Sequence, residues 1–97
     1  MSKKRIVVTG IGATTPIGGT AQESWAALLR AESGAHTLRQ EWVAELDLPV
    51  TFAAEAKVRP EEVLERVEIK RNDPQAQYAL VAAREAWADA GAPEVDP

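Results

Sequence analysis

The run Ile6-Val7-Val8, closed by Thr9-Gly10-Ile11-Gly12, most narrows what this chain can fold into. Consecutive apolar, β-branched residues without alternation predict a strand over Lys4–Thr9 buried on both faces, as in parallel sheets. Such a strand needs neighbours on both edges. The chain offers one other candidate, Val50–Ala56, weakened by its alanines. Left unpaired but buried, each N–H or C=O of the strand would cost roughly 1–3 kcal/mol. The 97 residues are 45% hydrophobic, but much of that is alanine, with three Trp, one Tyr and one Phe. Alanine adds little area at ~25 cal/mol per Å². A chain of this size hides only about 60–65% of its unfolded surface. The expectation is an incomplete domain, molten or aggregation-prone by itself.

The remaining elements are mainly helical. Gly10–Gly19 reads as a loop in which Pro16 pushes Thr15 towards extended geometry. Thr20-Ala-Gln-Glu23 fits a capping box opening a helix. Trp25, Leu28 and Leu29 share a face of it, and Ser33-Gly34 supplies the stop. Thr37-Leu-Arg-Gln40 repeats the box before a shorter stripe, Leu38, Trp42, Val43 and Leu46. Pro60 suits a first helical position, with Glu61 and Glu62 at the positive end of the dipole and Lys70-Arg71 in the last turn. Asp73 and Pro74 fit the N-cap and N1 of a long helix. Ala76, Leu80, Ala83, Trp87 and Ala90 form its stripe, and Gly91 and Pro93 end it. Strand, helix, short helix, strand, helix, long helix is the order that opens an α/β fold.

Several chemistries are excluded. No cysteine is present, so disulfides, thiolate zinc sites and a Cys nucleophile are absent from these residues. The one histidine, His36, cannot form a two-imidazole site and reads as a solvated loop residue. A net charge of −4 disfavours a general nucleic-acid binder. Apolar runs fall far short of the ~20 residues that span a bilayer, and Ile6-Val8 is too short for a secretory core. The expected compartment is the cytoplasm. Gly10 and Gly12 match two positions of a dinucleotide fingerprint, but Thr15 and Pro16 break it, and Thr14 and Pro16 break the short-chain reductase pattern. A tight turn leaving a buried strand is the better reading, and neither a cofactor nor a metal is expected. Carboxylates at 61, 62, 65 and 68 read as a charged solvent face.

One cluster stands apart. Arg66 and Lys70 are i, i+4 neighbours on a helix, and Arg71 adjoins them. They either complement a helix C-terminus, helped by a Glu62–Arg66 pair, or form a docking patch for an acidic partner.

The opening R-I-V-V-T-G-I-G, the turn Thr15-Pro16-Ile17-Gly18, Trp25 with Leu28-Leu29, and the closing Ser33-Gly34 resemble the N-terminus of the β-ketoacyl-acyl-carrier-protein synthases, the elongating condensing enzymes. A second block, from Arg66-Val-Glu-Ile-Lys70-Arg71 through Gln77-Tyr78-Ala-Leu to Ala90-Gly91, resembles the basic segment and following helix of that family. Asn72 departs from the bulky apolar residue usual there, and Val67 stands where some members carry lysine. The resemblance implies an α/β, thiolase-like fold, layered α-β-α-β-α in a homodimer, of which residues 1–97 are an N-terminal fragment of the N-terminal ketoacyl synthase half. It implies an acyltransferase of fatty acid biosynthesis that uses malonyl and acyl thioesters, with its catalytic Cys and two His outside these residues. It implies that Lys70, Arg71 and Arg66 dock acyl carrier protein. A type II polyketide ketosynthase, or its chain-length partner, shares these features. A NAD(P)-dependent short-chain reductase and a small helical binding module are more distant alternatives.

Overall fold

A computed structural model describes residues 3–96. The elements in order are α1 (Ala21–Leu29), β1 (Ala35–Thr37), α2 (Glu41–Glu45), β2 (Phe52–Ala54), a 3-10 turn (Pro60–Glu62), α3 (Arg66–Arg71) and α4 (Pro74–Asp89). Strands β1 and β2 pair antiparallel, with His36 opposite Ala53. The arrangement is mixed helix and strand, compatible with an α/β class, and no helix is long and apolar enough to cross a membrane.

Locally encoded features form as the residue types dictate. The Thr20 hydroxyl accepts from Glu23 N–H at 3.1 Å, while the Glu23 carboxylate reaches back to Gly19 N–H rather than to Thr20. Asp73 caps α4 through Ala76 N–H at 2.9 Å, with Pro74 in its first turn. Gly91 ends α4 at φ +88°. Thr15-Pro16-Ile17-Gly18 is a β-turn closed by Gly18 N–H donating to the Thr15 carbonyl at 3.3 Å, with Thr15 N–H donating back to the Gly18 carbonyl at 2.8 Å. The Thr15 hydroxyl accepts from the amides of Ile17 and Gly18 and bonds the Ser24 hydroxyl at 2.7 Å. Pro16 lies against Gly34, so the turn, α1 and the segment after α1 form one knot.

Other expectations give way to tertiary geometry. Lys4–Thr9 forms no strand and joins no sheet, and Ile6 is 98% exposed. A strand requires a partner edge, and among the described residues β1 and β2 pair only with each other. Thr37 caps nothing: it sits in β1 opposite Phe52, and Gln40 precedes α2 without a side-chain cap. His36 is therefore a strand residue, its Nε2 3.2 Å from a Glu55 oxygen across the pair. Helix α1 stops before Ser33-Gly34. Glu32 N–H donates to the Ala27 carbonyl and Ala31 N–H to that of Leu28, with Ala31 at φ 57°. Trp25, Leu28 and Leu29 stay exposed, and α1 buries Ala27 instead. On α4, Ala83 and Trp87 are exposed and Gln77 is buried.

Helix α4 holds the glycine segment by a device outside the apolar pattern. Gly10 lies against the backbone at Ala86 and Ala90, and Gly12 against that at Ala82 and Ala86. Between and beyond them, Ile11 N–H donates to Asp89 at 3.0 Å and Ala13 N–H to Glu85 at 2.8 Å. Glu85 also accepts from Ala21 N–H at the start of α1. Two carboxylates one helical turn apart thus serve as the acceptors a neighbouring strand would supply, and Glu85 also joins α1 to α4.

The molecule has little interior. Among the described residues the buried hydrophobics are Ala27, Val43 and Leu64. The radius of gyration is 17.7 Å, against about 12–13 Å for a compact domain of this length. The accessible surface is 8302 Å², where a compact monomer of this mass exposes roughly 5,400 Å². Ile11, Ile17, Trp25, Leu28 and Ala54 line an apolar concavity beside α1 that stands open.

Candidate functional site

Arg66, Lys70 and Arg71 all belong to α3, and all are exposed. The helix expected to run continuously from Pro60 is broken in two. Pro60–Glu62 forms a 3-10 turn, with the Glu62 carboxylate accepting from Arg59 N–H at 2.8 Å. Leu64 is buried, and α3 begins after Glu65. The break removes the expected Glu62–Arg66 pair, because Glu62 is occupied as a cap on a separate turn. Among the described residues Arg66, Lys70 and Arg71 enter no ion pair.

Asn72, at φ −124° and ψ 143°, turns the chain from α3 towards α4. Its side-chain amide donates to the Glu68 carbonyl at 2.8 Å. Gln77, 7% exposed, donates to the carbonyls of Ile69 at 3.0 Å and Asn72 at 2.8 Å. Side-chain amides therefore satisfy carbonyls at the end of α3, the task a C-terminal cation otherwise performs. Lys70 and Arg71 remain available to a partner.

Glu68 is not part of a plain solvent face. Its carboxylate meets the Arg84 guanidinium of α4 as a two-pronged pair and also accepts from Glu65 N–H at 3.1 Å. The Arg84 hydrogen bond, followed by the Glu65 amide, holds the Glu68 carboxyl below its ordinary range, and Glu68 raises Arg84 further. A lowered carboxyl pKa favours the folded state above the usual carboxylate range. The contribution is lost as pH falls through the lowered value.

Gln77, Glu68 and Arg84 were missed by sequence reasoning, which assigns polar residues of an amphipathic helix to solvent. The one available signal was Gln77, a polar residue one position from the apolar Ala76. Among the described residues no three His, Asp or Glu side chains gather as metal ligands.

Comparison with known proteins gives matches along almost the whole chain. Residues 3–96 match the family described as Beta-ketoacyl synthase, N-terminal domain. The chain is 37% identical over 91 residues to the 3-oxoacyl-[acyl-carrier-protein] synthase 2 of Mycobacterium tuberculosis, covering 94% of this chain and 22% of that relative. It is 35% identical over 92 residues to the protein of the same name from Coxiella burnetii, with the same coverage. The chain thus spans about a fifth of the length of these relatives.

Proposed function

Since the chain belongs to the family of the beta-ketoacyl synthase N-terminal domain, we propose that it is the N-terminal part of a condensing enzyme that elongates acyl chains in fatty acid biosynthesis. In this reading a Cys thiolate elsewhere in the enzyme attacks an acyl thioester and releases the carrier thiol. Malonyl-acyl carrier protein then loses CO2, and the enolate so formed attacks the acyl-enzyme thioester. The Cys thiolate leaves, and a 3-oxoacyl thioester remains on the carrier. Two imidazoles and an oxyanion hole stabilise the developing charge. In this reading these residues are scaffold and docking surface, which is supported by a sequence without Cys and by a His36 side chain that meets Glu55 across the β1–β2 pair.

The observation that carries the reading is the match along residues 3–96. The bare surface supports it. Lys4–Thr9 becomes a strand of a thiolase-like sheet, and the concavity beside α1 is filled, when the rest of the α-β-α-β-α layers pack on this part. The parent is read as a cytoplasmic homodimer. The exposed cations of α3 suit an electrostatically steered, transient encounter with acidic acyl carrier protein.

The test is an assay with malonyl- and acyl-carrier protein. The whole enzyme is expected to release CO2 and yield a 3-oxoacyl product, while the 97-residue chain alone takes up no acyl group by intact-mass spectrometry. An acyl adduct on the 97-residue chain, or a folded whole enzyme that makes no 3-oxoacyl product, overturns the reading.

A further inference from the structure

Ile69 and Asn72 bracket Lys70 and Arg71, and the carbonyls of both are held by the single side-chain amide of Gln77. Both partners are acceptors, so the orientation of the amide is fixed, with both of its N–H donors directed at the junction. Gln77 is 7% exposed and lies in the first turns of α4, whose N-cap Asp73 is the next residue after Asn72. The Asn72 amide ties the same turn back to the Glu68 carbonyl. On the far side, the two-pronged Glu68–Arg84 contact fastens α3 to α4 two turns further along. A six-residue helix has little stability of its own. Its orientation is set by these polar ties and by buried Leu64 before it.

We infer that Gln77, seconded by the Glu68–Arg84 pair, is a positioning residue that presents Lys70 and Arg71 as a fixed pair of cations to the acidic carrier protein. The inference rests on the docking reading above and adds the part that makes the patch rigid. Two long cationic side chains on a fraying turn would lose more conformational freedom on binding than the same side chains on a fixed one. Gln77 touches neither partner nor substrate. It acts on encounter through the backbone that carries Lys70 and Arg71.

The experiment uses the whole enzyme and three variants. Gln77→Met keeps the side chain's length and removes both donors. Glu68→Gln loosens the second tie while removing a negative charge from the patch, so that simple charge attraction alone would tighten binding. Lys70→Glu with Arg71→Glu reports on docking itself. Gln77→Met is expected to raise KM for malonyl-acyl carrier protein about fivefold with little change in kcat, while KM for a small malonyl thioester without a carrier stays the same. Glu68→Gln is expected to raise the carrier KM about twofold, against the direction of its charge change. That variant decides the matter if Gln77→Met does not fold. If the charge reversal weakens carrier binding but neither other variant does, positioning is overturned and docking stands. An equal rise in KM for both thioesters marks general damage and also overturns positioning. A charge reversal without effect removes the docking reading and this inference with it.

Discussion

Replacing Gly12 with valine is expected to abolish folding of the protein, and Gly12→Ala to cost about 3 kcal/mol or more. A Cβ on Gly12 would overlap the Ala82 carbonyl oxygen, and one on Gly10 would overlap that of Ala86. Both obstacles are backbone atoms of α4, the longest helix, which cannot yield as a flexible side chain does. Moving the segment outward instead breaks the bonds from Ile11 to Asp89 and from Ala13 to Glu85, and releases Glu85 from the start of α1. Gly91 provides the comparison. Its φ is +88° and nothing lies near its Cβ position. Gly91→Ala therefore meets only the left-handed backbone penalty, about 1–2 kcal/mol. Thermal melts of the three variants should rank in that order. A Gly12→Ala protein that melts with the parent would contradict the contact of the glycine segment with α4.

Reversing both junction cations, Lys70→Glu with Arg71→Glu, is expected to weaken acyl carrier protein binding roughly tenfold at low salt and to flatten its salt dependence. Two like-charge contacts then replace two attractive ones. Folding should change little, because both side chains are exposed and the carbonyls at the end of α3 are served by Asn72 and Gln77. If the cations only complemented the helix end, each would contribute about 0.3–1 kcal/mol to stability and nothing to binding. Affinity measured at low and moderate salt, beside a thermal melt, separates the two. Unchanged affinity in a folded double variant would withdraw the docking role from Arg66 as well.

What could be read from the sequence follows the range of the interactions. The Thr15–Gly18 turn, the Thr20 and Asp73 caps and the Gly91 stop depend on residues within a few positions, and they form as their chemistry dictates. The Arg66-Lys70-Arg71 cluster was placed on a helix for the same reason, although on one expected to run on from Pro60 and not on the separate α3. Lys4–Thr9 was legible as a strand pattern, yet pairing is non-local and the fold of the described residues brings no strand alongside it. Thr37 satisfied a capping pattern, but β2 drew it into a hairpin instead. Gln77, Glu85, Asp89 and Arg84 look like ordinary solvent-facing residues of α4. Their roles arise only where α3 and the glycine segment cross that helix.

Much of this chain's apolar surface is bare, and in the proposed reading the rest of a condensing enzyme covers it. Ile6, Val7 and Val8 are 98%, 70% and 81% exposed. Amide hydrogen exchange at these residues, in the 97-residue chain and in the whole enzyme, tests that claim most directly. Near-free exchange is expected in the chain alone, and protection of at least about a thousandfold in the whole enzyme, as a central strand gives. Strong protection in the monomeric chain, or free exchange in the whole enzyme, would contradict it.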